Sequence, residues 1–427
     1  MPESIDMSFV ILFVLLVFLF NKLDSTICFS IAFYPLLSLI RVTDSINLFQ
    51  VFSIFAVCLF FLKSGKKQLL KMVDDFPFSL TIIMFVISFV VTNLQTSPHW
   101  PTSIALLFSE YIMVYVFWIV MHKRENIHIF LSMFTLFIAI ITGYCIIEFL
   151  LQKNPLYDWY VNSSLFMGYD ADRSEDIRFG SMRCHSLMRD VGALGTVCCL
   201  GICVFFSFFQ MKDNVTALKK YFYLGLIVLC FVSTFFTGTR TAILGIIFCL
   251  IVCTFSLNNK NRIRLLTIVL LFCILGSGLI YDVYLSFVDT KSVQGSSTDM
   301  RELQWAVVLQ AFNSSPIFGW GLEGTSLVMN RFEGAFGLES VWFQILINYG
   351  LLGAAAFTFS LFQGFLYSIR NKCIPAIAVA GMFLMVKTMS SIPGVGNGYF
   401  LYIIVYLIMY QKLMRNEEIK VGHSNNA

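Results

Sequence analysis

Long apolar runs separated by short polar segments recur from one end of the chain to the other. Most approach the roughly 20 residues that a helix needs to cross the hydrocarbon core of a bilayer. Thirteen such runs are found, at 7–20, 23–40, 46–62, 76–94, 100–121, 127–151, 187–211, 221–237, 241–257, 265–285, 341–369, 374–389 and 399–410. The first is short for a full crossing, so a half-span there would leave twelve and move the N-terminus to the other side. It lacks a basic start and a nearby small-residue cleavage site, and reads as an anchor rather than a cleaved signal peptide. The expected fold class is therefore all-α, a polytopic integral membrane protein of about 12–13 transmembrane helices. Residues 1–427 form a single membrane domain in this reading, with two longer loops at 152–186 and 286–340.

The polar segments between the runs set the orientation, because short cytoplasmic loops are enriched in Lys and Arg. Segment 63–71 carries four basic residues, 123–124 two, 212–220 three, 260–264 three, 370–372 two and the C-terminal tail three. These six are assigned to the cytoplasm. The alternating segments 95–99, 238–240 and 390–398 hold a single basic residue, Arg240, and are assigned to the outer face.

The two long loops fall on that outer face and concentrate polar residues, glycines and both signs of charge. Loops of this length in a compact protein are functional or disordered. In the second, Asp299-Met300-Arg301-Glu302 supplies an acidic N-cap with a Glu three residues on, followed by Trp305, Val308, Leu309 and Phe312 at helical spacing up to Pro316. This pattern predicts an amphipathic helix lying on the outer surface. Gly319, Gly321 and Gly324 then allow tight turns that return the chain to the membrane.

Composition sharpens the picture. Of the residues, 58% are apolar, 16% aromatic and only 13% charged, far from the balance of a soluble domain. The net charge of +4 is small and gives no reason to expect nucleic acid. Ten of the twelve cysteines lie inside apolar runs, with Cys184 and Cys373 in loops, so no disulfide framework or CxxC site is visible.

Few residues are placed to carry chemistry. Arg240 sits in Thr237-Gly238-Thr239-Arg240-Thr241 between two runs, with almost no loop to carry it away from the bilayer. A guanidinium held beside hydroxyls and a glycine suits a diphosphate, because its fork of donors binds two phosphate oxygens together. The competing assignment is an arginine that snorkels to the headgroups. Arg301 is one of three basic residues in the large loop and could be aimed at the same headgroup region, or make an intrahelical contact. The first loop sets Arg173, Arg178, Arg183 and Arg189 against Asp158, Asp170, Asp172, Glu175 and Asp176. Most of these read as a solvated face, with Arg183, close to membrane re-entry, the exception. Glu339 precedes Ser340 at the mouth of the next run, where a carboxylate could take a proton from a sugar hydroxyl or simply cap the helix. Lys387, Glu110 and Glu148 lie inside runs, as functional groups or as a structural ion pair. The five histidines form no HExxH or paired cluster, which argues against a metal site. Asp170-Ala171-Asp172 mimics a nucleotide-sugar motif but lies on the outer face, where such donors do not occur.

Taken together, three segments carry a family resemblance. The stretch from Phe236-Thr237-Gly238-Thr239-Arg240 to Gly245 resembles the arginine motif of the O-antigen polymerase and O-antigen ligase superfamily. Asn313-Ser314-Ser315-Pro316-Ile317-Phe318-Gly319-Trp320-Gly321, after a helix containing Arg301, is similar to its outer-loop motif. Glu339-Ser340-Val341-Trp342-Phe343-Gln344 through Asn348-Tyr349-Gly350 to Gly353 is similar to the span that closes that loop, and 183–195 weakly resembles an upstream arginine segment.

The resemblance implies a metal-independent, GT-C-like glycosyltransferase of the bacterial inner membrane, without a cofactor, whose active site faces the periplasm. Its substrates would be undecaprenyl-diphosphate-linked oligosaccharides, with membrane lipids, a chain-length regulator and a flippase as further partners. Arg240, Arg301 and Glu339 would be catalytic, and Arg183, Arg240, Arg301 and Lys387 would bind substrate. Ligases of the superfamily carry a functional histidine near the start of the span after the large loop. This sequence has Glu339-Ser340 there and no histidine in the loop, which favours a polymerase. The rivals are an O-antigen ligase and a lipid-linked oligosaccharide transporter. A transporter should show related halves and a midplane site built from broken helices, and neither is apparent in the sequence.

Overall fold

The computed structural model describes residues 13–18, 21–43, 46–64, 66–95, 99–161, 177–178, 181–209, 217–257, 298–322, 324–329, 338, 340–389 and 396–424, with isolated positions between 259 and 281. Among the described residues the chain is all-α apart from a two-residue-per-strand hairpin pairing Ile177–Arg178 with Ser181–Met182. Its main helices are α1 (Leu23–Ala32), α2 (Leu48–Ser64), α3 (Lys66–Asp75), α4 (Ser79–Gln95), α5 (Trp100–Val120), α6 (Arg124–Leu151) and α7 (Val191–Phe209). They continue as α8 (Ala217–Phe236), α9 (Arg240–Thr254), α10 (Thr298–Ser314), α11 (Gly324–Met329), α12 (Val341–Arg370), α13 (Ile374–Met389) and α14 (Asn397–Ser424). Among the described residues, five helices, α5 to α8 and α12, are long and apolar enough to cross a membrane, and α1, α2, α4, α9 and α13 are shorter apolar helices. Runs 7–20 and 265–285 lie largely outside the described residues. Run 23–40 is not one helix: α1 stops at Ala32 and a single turn, Tyr34–Leu37, restarts with Pro35 in its first positions. Proline has no N–H to continue a ladder but suits a first turn.

Burial follows the logic of a bilayer. Leu80, Ile83, Ile87, Val90 and Leu94 form an exposed stripe along α4 at alternating three- and four-residue steps, and Leu136, Ile140, Ile147 and Leu150 repeat the pattern on α6. Stripes of this kind would be an aggregation hazard in water and are ordinary against lipid. The interior belongs to α7, whose residues 193–200 are enclosed, and to the start of α14, buried from Tyr399 to Tyr410. A Cβ on Gly195 of α7 would overlap the Cβ of Ala242, so its glycine lets α9 lie directly against α7.

Helices α5 and α12 are irregular within their length. A π-helical segment, Phe108–Ile112, lies inside α5 and includes Glu110. Helix α12 is broken at Gly350, whose φ of 60° and ψ of −155° are not helical. The freed backbone groups at this break are met by the turn at 316–321. Trp320 N donates to Ile347 O at 2.7 Å and Gly321 N to Asn348 O at 2.9 Å. In return Leu351 N donates to Pro316 O at 2.8 Å and Leu352 N to Ile317 O at 3.2 Å. The approach requires glycine on both sides: a Cβ on Gly319 would lie 2.5 Å from the Asn348 carbonyl carbon, and one on Gly350 would lie 2.5 Å from Ile317 O. Broken helices persist at membrane depth only where their backbone is re-satisfied in this way.

The amphipathic helix expected in the large loop is present as α10, but it docks through a different face. Val307, Val308 and Ala311 are buried with Gln304, whereas Trp305 and Leu309 are 47% and 41% exposed. The buried face packs on Val328 of α11, on Leu338 and on Ile347 of α12. Val308 was assigned to the right face. Trp305 instead stands beside Phe343, with ring centroids 5.3 Å apart, because α10 meets the N-terminal half of α12.

Candidate functional site

The Thr237-Gly238-Thr239 turn between α8 and α9 is built from short-range contacts. Gly238 takes a left-handed φ of 58°, Thr237 Oγ1 donates to Thr234 O at 2.7 Å, and Thr239 N donates to Thr237 Oγ1 at 3.1 Å. Thr239 is the extended N-cap residue and Arg240 the first residue of α9, half-buried. Arg240 thus belongs to the helix end whose first N–H groups also present positive potential.

Arg183, 54 residues upstream of Thr237, clasps this turn. Its Nε donates to Thr237 O at 3.0 Å and its Nη2 to Thr239 Oγ1 at 3.2 Å. Next to it Cys184 N donates to Phe236 O at 2.9 Å, and the rings of Phe149 and Phe236 stack 3.8 Å apart. The structure therefore brings Arg183 and the Arg240 turn together.

Glu148 anchors the segment that carries Arg183. Its fully buried carboxylate accepts from Ser186 N at 2.6 Å, His185 N at 3.3 Å and Asn154 Nδ2 at 2.9 Å. The same Asn154 nitrogen donates to Ser186 O at 2.8 Å, and Ser186 Oγ to Ile141 O at 2.6 Å, while Ser186 itself is left-handed with φ 56°. Of the three ionisable groups noted inside apolar runs, this one is thus committed to a loop.

The other two share a neighbourhood. Lys387, near the end of α13, is 1% exposed and lies within electrostatic reach of both Glu110 and Asp190. Its Nζ is 5.6 Å from the Phe400 ring centroid and 5.9 Å from that of Phe383. Asp190 caps α7, its Oδ1 accepting from Ala193 N at 2.8 Å. Glu110 accepts from the Tyr34 hydroxyl at 2.6 Å and from Gly398 N, and Gly396 N donates back to Tyr34 Oη at 3.0 Å. A Cβ on Gly396 would overlap both the Glu110 carboxylate and the Tyr34 hydroxyl. Lys387 links this cluster to the cap of α7, which follows the Arg183 segment directly.

Arg301 lies in the first turn of α10 by its backbone, and its side chain is outside the described residues, as is all of Glu339. The N-cap of α12 is Ser340, whose Oγ accepts from Trp342 N at 3.3 Å. Asn348, in the N-terminal half of α12, is a structural residue that the sequence does not announce. Its Oδ1 accepts from both Thr325 N and Thr325 Oγ1 at 2.9 Å and fixes the start of α11. The Tyr34–Glu110–Gly398 cluster was also unforeseen, since only the glycine pair in Gly396-Asn397-Gly398 hints at it.

None of the curated proteins compared matches the chain. Residues 225–358 match the model of a family described as O-antigen ligase. The matched stretch runs from within α8, through the Arg240 turn and the α10 loop, to the part of α12 beyond its break. Over that stretch this membrane chain is similar to the O-antigen ligase family, in line with the superfamily its sequence motifs resemble.

Proposed function

We propose that the chain is a polymerase of surface glycans, O-antigen or a related polysaccharide, acting on undecaprenyl-diphosphate-linked repeat units at the periplasmic face of the inner membrane. The observation that carries this reading is the clasp of Arg183 on the Thr237-Gly238-Thr239 turn, which sets Arg240 at the N-terminus of α9. Such a corner suits a group that gains negative charge as a bond breaks. A hydroxyl at the nonreducing end of the incoming repeat unit attacks the anomeric carbon of the growing glycan. The bond from that carbon to the diphosphate oxygen breaks, and undecaprenyl diphosphate departs. Arg240 and Arg301 stabilise the leaving diphosphate, Lys387 contributes positive charge from the interior, and Glu339 accepts the hydroxyl proton. Arg183 acts chiefly through the turn it holds.

The family description favours a second reading, an O-antigen ligase that moves finished glycan onto lipid A-core. The polymerase is preferred because Glu339-Ser340 stands where the ligase histidine is expected and the large loop 286–340 has no histidine. Deleting the gene and resolving lipopolysaccharide and lipid-linked glycans on gels separates the two. Loss of a polymerase leaves core capped with one repeat unit and no ladder. Loss of a ligase leaves bare core with long glycan accumulating on undecaprenyl diphosphate. The core-plus-one pattern, restored by the wild-type gene and not by Arg240→Ala, is the expected result.

A further inference from the structure

A cleft of about 230 Å³ opens between α4, α5 and the N-terminal half of α12, and the mechanism above does not use it. Phe89, Tyr111 and Tyr349 give it aromatic walls, and Glu110, Gln344 and Asn397 are among its polar lining groups. Its rings are held in place by one another: Phe85 stacks on Tyr111 at 3.9 Å, and Phe89 meets Tyr349 at 5.3 Å. Its polar groups are also oriented. Among the described residues each Glu110 oxygen takes one hydrogen bond, from Tyr34 Oη and from Gly398 N, and a carboxylate oxygen has room to accept a second. Asn348, also in the lining, has its Oδ1 fixed by Thr325 N, which can only donate, so the NH₂ end of its amide is the one left for the cleft.

These features select the ligand. A lipid tail would use the aromatic walls but leave a carboxylate and three amides without purpose. A phosphate would meet Glu110, the only charged side chain among the described lining residues, as a like charge. An uncharged sugar ring satisfies both halves: its C–H faces pack on the rings, and its hydroxyls donate to Glu110 and exchange hydrogen bonds with the amides. The volume suits a single ring. We infer that this cleft is a glycan subsite, binding one uncharged pyranose of the lipid-linked oligosaccharide while the diphosphate lies at the Arg240 turn. Lys387 lies within electrostatic reach of Glu110 and of Asp190, the cap of α7. The inference rests on the glycosyltransferase reading and adds a second, charge-opposite subsite to it.

The test uses the full chain in membranes and the lipid-linked oligosaccharide extracted from the gene-deletion strain as probe. Gln344→Cys places a thiol in the cleft, and Asn397→Cys places one on a different wall should the first fold poorly. The rate of modification by a small methanethiosulfonate reagent, corrected for the wild-type chain, is measured with and without the probe. Saturating probe should slow modification at least fivefold, and an unchanged rate at both positions overturns the inference. In parallel, Gln344→Ala should raise KM for the extract by about threefold to tenfold, the worth of one neutral hydrogen bond, and leave kcat alone. A fall in kcat at constant KM counts against a binding role. If the wild-type chain fails to elongate the extract, the polymerase reading falls, while thiol protection still decides whether the cleft holds sugar.

Discussion

Replacing Arg183 by lysine keeps the positive charge but removes the fork that spans Thr237 O and Thr239 Oγ1. Hydrogen bonds to a charged group contribute about 1.5–3 kcal/mol each, and the half-buried setting here argues for the lower end. The clasp is then worth about 3 kcal/mol. A lysine ammonium can reach one of the two acceptors, so the loss is about 1.5 kcal/mol, or tenfold in the fraction of molecules with an ordered turn. Alanine loses both bonds, which sets the expected order as wild type, lysine, alanine in steps of about tenfold. The assay is elongation of lipid-linked oligosaccharide by purified protein, with protein amount fixed by quantitative blot. Because Arg183 acts through the turn, kcat should carry most of the loss, and KM for the donor should move less than threefold. Wild-type turnover in Arg183→Lys would refute the clasp, and a KM effect alone would make Arg183 a direct ligand of the diphosphate.

Arg240→Lys should lower turnover by about 10² to 10³, as loss of a comparable electrostatic donor does, with normal membrane levels; a wild-type glycan ladder would remove Arg240 from the site. Glu339→Gln should abolish transfer while donor binding survives, whereas a purely structural glutamate predicts near-normal turnover, and single-turnover kinetics with saturating donor tells them apart. Glu148→Gln turns an NH₂ toward donors already aimed at a carboxylate, at about 1–3 kcal/mol for each group left unmet. Its thermal midpoint in detergent should fall, and turnover should fall with it through Arg183. Gly319→Ala puts a Cβ against the Asn348–Tyr349 backbone at a left-handed φ of 71° and should cost at least about 1–2 kcal/mol. Reduced monodisperse protein on gel filtration is the expected readout.

Legibility in the sequence differed by range. Apolar runs announce helices because each span needs its own length of apolar residues, and α4 to α9, α12 and α13 stand close to where the runs predict. The arginine turn was legible because Thr237-Gly238-Thr239-Arg240 is local. The partner of that turn was not, since Arg183 reaches it across a helix pair and nothing in either segment names the other. Helix α10 shows the limit of periodicity, for apolar side chains flank its buried face on both sides and only the docking surface of α12 chooses among them. The Glu110 cluster draws on Tyr34, Glu110 and Gly398, which the chain brings together over 288 residues between the last two alone. Such a site has no local pattern to read.

The exchange of hydrogen bonds between the 316–321 turn and the break at Gly350 bears on how specificity could be transplanted between relatives. Each partner completes a ladder that the other leaves open, so neither is a finished element alone. A chimera that imports a foreign outer loop and keeps the native start of α12 puts its junction through four backbone hydrogen bonds at once. Even a small mismatch in register would leave the amide and carbonyl groups of the break without the partners they have here. The natural cassette for exchange therefore runs from the start of α10 past Gly350 to Gly353, and grafts cut at the visible loop boundary should misassemble whatever the sugars they were meant to recognise.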